Sequence, residues 1–89
     1  MVNRAFLISG RVQGVFFRDS TKKEALKLGL QGSAVNLSDG TVKVCLSGES
    51  EDIDLLERWL HKGPELARVE SVIEVDIDQQ LELNGFKVG

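Results

Sequence analysis

The sequence predicts an α+β domain, a split βαβ sandwich with two helices on one face of a mostly antiparallel sheet of four to five strands. Three observations carry this expectation. Periodic apolar segments follow in the order strand, helix, strand, strand, helix, strand, with a short tail strand (βαββαβ plus one). The turn Ser38-Asp39-Gly40 joins the middle two strands as a hairpin. The first two strands are joined instead by a helix, a crossover that makes them parallel with the third strand between them.

Each element has its own signal. Residues 5–12 alternate as strand one: Phe6, Ile8, Gly10 and Val12 point one way, and Leu7, Ser9 and Arg11 the other. A glycine-bearing turn follows. Thr21 with Glu24 three residues on has the form of a capping box, so helix one is expected over 20–28. Thr21, Ala25 and Leu28 then share a face, and Gly29 serves as a left-handed C-cap. Gly32 opens strand two, residues 33–37, which carries Asn36 near its end. Strand three alternates Val42, Val44 and Leu46 against Lys43, Cys45 and Ser47.

Ser50 reads as the N-cap of helix two, residues 51–62, where Ile53, Leu56 and Leu60 fall at i, i+3 and i+7 with Trp59 beside them as core. Acidic residues fill its first turn and His61 and Lys62 its last, as the helix dipole prefers; Gly63-Pro64 stops it. Strand four, residues 68–77, places Val69, Ile73, Val75 and Ile77 on one face, and Phe86-Lys87-Val88 forms the last strand.

A chain of 89 residues is expected to fold as a single domain, 1–89, with one small core and as a monomer. Its net charge of −3 weighs against nucleic acid or an anionic membrane as partner, since both need a basic footprint. Cys45 is the single cysteine, so no internal disulfide forms and a reducing compartment is expected. The N-terminal apolar run is too short for a signal peptide, and no stretch has the apolar length of a membrane span. The expected location is cytoplasmic.

The chemistry concentrates in Gly10-Arg11-Val12-Gln13-Gly14-Val15-Phe16-Phe17-Arg18. A glycine turn feeding a helix start presents backbone N–H groups without intrahelical partners to an anion, and the dipole favours negative charge there. Arg18 adds a planar fork of donors matched to phosphate or carboxylate. A cation at a helix start is otherwise disfavoured, which strengthens the case for a bound anion. Phe16 and Phe17 read as core or loop-shaping residues, and Arg11 as an outward strand charge.

The crossover topology brings Asn36 to the same sheet edge as this turn, two strand spacings or roughly 10 Å away between backbones. Asn36 is a neutral donor and acceptor, unable to act as a strong base but able to orient water. His61 is the only histidine, and Cys45 has no evident histidine partner, so Ser-His-Asp and Cys-His mechanisms and a zinc site are not expected. Phosphoryl hydrolysis without a metal or a general base requires a good leaving group. The carboxylate of an acyl phosphate is one, and positioning with charge stabilisation then supplies the catalysis.

The stretch from Gly10 to Arg18 resembles the first signature of the acylphosphatase family, and Gly32-Ser33-Ala34-Val35-Asn36-Leu37-Ser38-Asp39-Gly40 resembles the second. Gly48, Trp59-Leu60, Gly63-Pro64 and Ala67-Arg68-Val69 follow the same layout, so the likeness spans nearly the whole chain. The resemblance implies hydrolysis of the carboxyl–phosphate bond of small acyl phosphates to carboxylate and inorganic phosphate, without metal or cofactor. It implies a phosphate-binding loop of Gln13, Gly14, Val15, Phe16, Phe17 and Arg18, with Arg18 and the backbone amides on the phosphate and Asn36 on the attacking water. Ser33 stands where the family often has an aromatic residue and Ala34 where it often has valine, which thins the packing under strand two.

Two other classes fit the same topology. A non-catalytic ferredoxin-like module could bind an anion or small metabolite through the same loop. An RNA-binding sheet would need aromatics on strands one and three within a basic surface, and strand three offers Val42, Lys43, Val44 and Cys45.

Overall fold

The computed structural model describes residues 1–89. Seven elements follow in order: β1 (Val2–Arg11), α1 (Phe17–Lys27), β2 (Gln31–Asn36), β3 (Val42–Gly48), α2 (Ser50–Lys62), β4 (Arg68–Val75) and β5 (Phe86–Val88). They form one five-stranded sheet in the order β4-β1-β3-β2-β5. β1 is antiparallel to β3 and β4, β2 is antiparallel to β3, and β5 is parallel to β2. β1 and β2 are therefore parallel with β3 between them, the ferredoxin-like arrangement that the helical crossover requires. Arg11 and Asn36, the last residues of these strands, emerge at one edge of the sheet.

The core lies between the sheet and the helices. Phe6 and Ile8 of β1, Ala34 of β2, and Val42, Val44 and Leu46 of β3 meet Phe17 and Ala25 of α1 and Ile53, Leu56 and Leu60 of α2. Burying each large apolar side chain is worth roughly 1.5–3 kcal/mol. α2 carries a clean apolar stripe. α1 buries only Phe17, Thr21 and Ala25 and leaves Leu26 exposed, so its helicity rests on tertiary packing more than on its own pattern.

Two polar devices tie down the ends. Arg4 lies over the Phe6 ring, 5.2 Å from its centroid. It bonds Glu74 of β4 at 2.9 and 2.8 Å and Asp54 and Glu57 of α2 at 2.7 and 3.0 Å. The hydrogen bond from Arg4 holds the Glu74 carboxyl below its ordinary range, and Glu74 in turn holds the Arg4 guanidinium further in its charged form. Asn3 donates its side-chain amide to the carbonyls of Asp78 and Leu81 at 3.0 and 2.8 Å. The Gln79 side chain answers by bonding both the N–H and the C=O of Asn3, at 3.0 and 2.8 Å. The segment between β4 and β5 is thereby fixed on β1 as the chain crosses back to the edge of β2.

Several boundaries differ from the sequence reading. β1 begins at Val2 and ends at Arg11, and β2 spans 31–36 in place of 33–37. α1 begins at Phe17, not at residue 20, and the Thr21–Glu24 capping box is not formed. Thr21 lies one turn inside the helix, buried, with its hydroxyl donating to the Phe17 carbonyl at 2.8 Å. Glu49 is the N-cap of α2, and Ser50 is the first helical residue.

β4 ends at Val75, and its faces are not those the alternation predicted. Ser9 pairs with Ser71 while Gly10 pairs with Val69, so Glu70 is the extra residue of a β-bulge. The bulge shifts the period: Val69 and Val72 pack on the core, and Ile73 is 57% exposed. Gly10 makes the bulge possible. Its φ is 117°, and a Cβ there would lie 2.1 Å from the Arg68 carbonyl oxygen.

Candidate active site

Between β1 and α1 the chain reverses through two left-handed residues, Gly14 with φ 74° and Phe16 with φ 61°. Val12, Val15 and Phe17 anchor the loop in the core, with Phe17 only 1% exposed. The Phe17 ring meets Trp59 of α2 in a tilted contact with centroids 5.9 Å apart, so Trp59 braces the loop from the core's margin. With its apolar residues held inward, the loop turns its amides away from the secondary structure. The backbone N–H groups of residues 13–18 donate to no acceptor in the protein. Phe16 is the N-cap of α1 and makes no side-chain cap bond, where serine, aspartate or asparagine would ordinarily satisfy a helix donor. Unpartnered N–H groups, a helix N-terminus and an arginine in its first turn form a site for an anion.

Arg18 and Asn36 come closer than the strand spacing alone required. β5 continues past Val88 along β2, with the Gly89 N–H on the Ala34 carbonyl at 3.0 Å. The Gly89 oxygen accepts from the Asn36 backbone N–H at 3.2 Å and also from Arg18 Nη1. One acceptor thus joins the guanidinium to the end of β2, which places Arg18 Nη1 within about 6 Å of the Asn36 backbone nitrogen. The Asn36 side-chain oxygen is buried and has no hydrogen-bond partner.

Gln13 supplies a connection that reading it as a backbone contributor missed. Its side-chain amide donates to the carbonyls of Leu37 at 2.8 Å and Thr41 at 3.0 Å. The anion loop is thereby stapled to the turn that follows Asn36. That turn is closed by Asp39, whose carboxylate accepts from the Thr41 N–H at 3.0 Å and hydroxyl at 2.6 Å. The Thr41 hydroxyl is the first cause holding the exposed Asp39 carboxyl below its ordinary range.

A cleft of about 220 Å³ opens beside the loop, lined by Val12, Phe16, Arg18 and Val88 among others. Asn36 is not part of its lining and joins it through Gly89. A wider open groove of about 650 Å³ crosses α1 and α2 near Trp59. Its lysines, Lys23 and Lys27, face Asp19 and Glu24 at 3.5 and 3.6 Å, and it shares none of the loop's N–H groups.

The remaining expected residues are placed as follows. Phe17 is core, whereas Phe16 is 74% exposed, so the pair splits. Arg11 is an exposed charge at the strand end, His61 is exposed in the last turn of α2, and Cys45 is half-buried on β3. Ala34 lies in the core under β2, but Ser33 does not, so only one of the two positions thins that packing. No group of three or more His, Cys, Asp or Glu side chains is placed to hold a metal ion. No helix is long and apolar enough to cross a membrane.

Fold and site together define a class: a ferredoxin-like α+β domain with an arginine-bearing loop of unpartnered N–H groups at the sheet edge where β2 ends in an asparagine. A sequence profile of the acylphosphatase family matches residues 4–88. The acylphosphatase of Alkalilimnicola ehrlichii is 48% identical over 86 residues, covering 97% of this chain and 96% of that protein. The acylphosphatase of Thermococcus kodakarensis is 51% identical over 81 residues, covering 91% of this chain and 88% of that one. Among solved structures, an acylphosphatase from Coxiella burnetii superposes with a TM-score of 0.91 at 39% identity, covering 99% of this chain and 92% of that one. The chain belongs to the acylphosphatase family.

Proposed function

We propose that residues 1–89 form a single domain that hydrolyses the carboxyl–phosphate bond of small acyl phosphates. The observation that carries the reading is the loop itself: N–H donors of residues 13–18 with no acceptor in the protein, together with Arg18, at the sheet edge where β2 ends in Asn36, whose side-chain oxygen is buried and unpartnered. An orphaned buried acceptor such as the Asn36 oxygen costs about 1–3 kcal/mol, and a phosphate with one water would satisfy it and the loop donors together.

In this reading the backbone amides and Arg18 hold the phosphoryl oxygens and stabilise the charge that develops on them. Asn36 accepts a proton-bearing O–H of the water and aims its lone pair at phosphorus. The new P–O bond forms as the bond to the acyl oxygen breaks, the electron pair leaves with the carboxylate, and the water's proton passes to phosphate or solvent. The products are the carboxylate and inorganic phosphate. Because the leaving group is already a weak base, no side chain needs to be a general acid or base.

The test is turnover of benzoyl phosphate by purified protein in the presence of EDTA, with release of inorganic phosphate measured. Sustained hydrolysis is expected. Loss of activity in EDTA would overturn the cofactor-free mechanism, and saturable phosphate binding without turnover would leave an anion-binding module.

A further inference from the structure

Phe16 is the only non-glycine residue of the chain with a positive φ. A bulky side chain in the left-handed region is disfavoured by roughly 1–2 kcal/mol, and glycine or asparagine would adopt it with less strain. Its ring does not repay this by packing, being 74% exposed. It does not cap α1 either. Neither stability nor capping accounts for a phenylalanine here.

Its location does. Phe16 lines the cleft beside the loop, with Arg18 and Asp19 in the same lining and Val88 supplied by β5. Val88 is 40% exposed. A phosphate seated on the N–H groups of residues 13–18 must direct its substituent away from them, toward the cleft and its apolar wall.

We propose that Phe16 and Val88 form an acyl subsite that selects bulky apolar acyl groups, aromatic ones above all, over short ones. The chain tolerates backbone strain at Phe16 because a left-handed cap aims the ring at the substrate while the same turn frees the amides. This inference rests on the phosphate-loop reading, and the experiment separates the two.

Phenylphosphonate and methylphosphonate share a phosphoryl head, differ in the apolar group and are not hydrolysed. Both are titrated into the wild-type protein by calorimetry alongside inorganic phosphate. Phenylphosphonate is expected to bind about tenfold more tightly than methylphosphonate. Phe16→Ala should bring the two affinities within about twofold of each other, and Val88→Ala should narrow the gap in the same direction. Phe16→Gly, which also relaxes the backbone, should abolish the preference too. Equal affinities in the wild type, or an unchanged ratio in both Phe16 variants, would overturn the subsite and leave the phosphate loop standing. Failure of inorganic phosphate and both phosphonates to bind would overturn the loop and the subsite together.

Discussion

The Gln13 side-chain amide donates to the Leu37 carbonyl at 2.8 Å, joining the loop after β1 to the residue that follows Asn36. A second bond reaches the Thr41 carbonyl at 3.0 Å, so one side chain fixes the two halves of the site in register. Gln13→Met keeps the length and removes both donors, and should lower the free energy of unfolding by about 1–2 kcal/mol in urea. Gln13→Glu should be worse, because a carboxylate would face two carbonyl oxygens with nothing to donate. A glutamate variant as stable as the wild type would remove this role from Gln13.

Arg18 sits in the first turn of α1 and reaches the oxygen that also accepts from Asn36. Arg18→Ala should weaken inorganic phosphate as a competitive inhibitor and reduce kcat/KM by about a hundredfold or more. Arg18→Lys should recover little, since a point charge does not replace a planar fork. Full recovery by lysine would mean that charge alone is used.

In the proposed mechanism Asn36 serves the attacking water and not the phosphate. Asn36→Ala should leave the phosphate inhibition constant within about threefold of wild type while kcat falls by about a hundredfold, because only the water loses its partner. A kcat near wild type would rule out the assigned role.

Gly10 and Phe17 set the loop's two ends. Gly10→Ala would force a Cβ to within 2.1 Å of the Arg68 carbonyl oxygen across the bulge, with backbone on both sides. A loss of about 2–4 kcal/mol is expected from clash and strain together. Phe17→Ala should cost about 3–5 kcal/mol by opening a cavity against Trp59, a large share of the stability of a domain this small. Chemical denaturation of each variant measures both.

The pH dependence follows from Arg4 and Glu74. The Glu74 carboxyl titrates below its ordinary value of 4.5, chiefly because Arg4 hydrogen-bonds its charged form. A depressed folded value means the contribution is present above the unfolded value and is lost as pH falls through the folded one. The Glu74 side chain is half exposed, so the contribution is under about 1 kcal/mol. Melting curves of wild type and Glu74→Gln should differ most near neutral pH and converge as the pH falls below 4.5 and through the depressed Glu74 value. A gap that stays constant across that range would mean the ion pair carries none of it.

Element order, crossover and the two-strand offset between Arg18 and Asn36 were legible because they depend on local signals: alternation in β1 and β3, the i, i+3, i+7 stripe of α2, and glycine turns. The glycine turn that feeds a helix with Arg18 in its first turn was legible for the same reason, since glycines before a helix and an arginine within it are a local pattern. Three features lay beyond that reach. The capping box at Thr21 failed because the helix starts a turn earlier, held by Phe17 against Trp59, a contact 42 residues apart in the chain. The face of β4 was misread because a bulge is a mismatch between two strands, and one strand's sequence does not contain it. Phe16 and Phe17 are adjacent and chemically identical, yet one is exposed and the other is core, because the left-handed backbone at Phe16 decides which side each ring takes.

The sequence by itself determined the fold class, the glycine loop and the sheet edge that it shares with Asn36. The tertiary structure decided how they are held: Gln13 stapled to the turn after Asn36, and Gly89 bridging Asn36 to Arg18. The reason is physical. A strand, a helix or a turn is chosen by neighbours in the chain, whereas the seating of a side chain is chosen by whatever distant segment the fold brings against it.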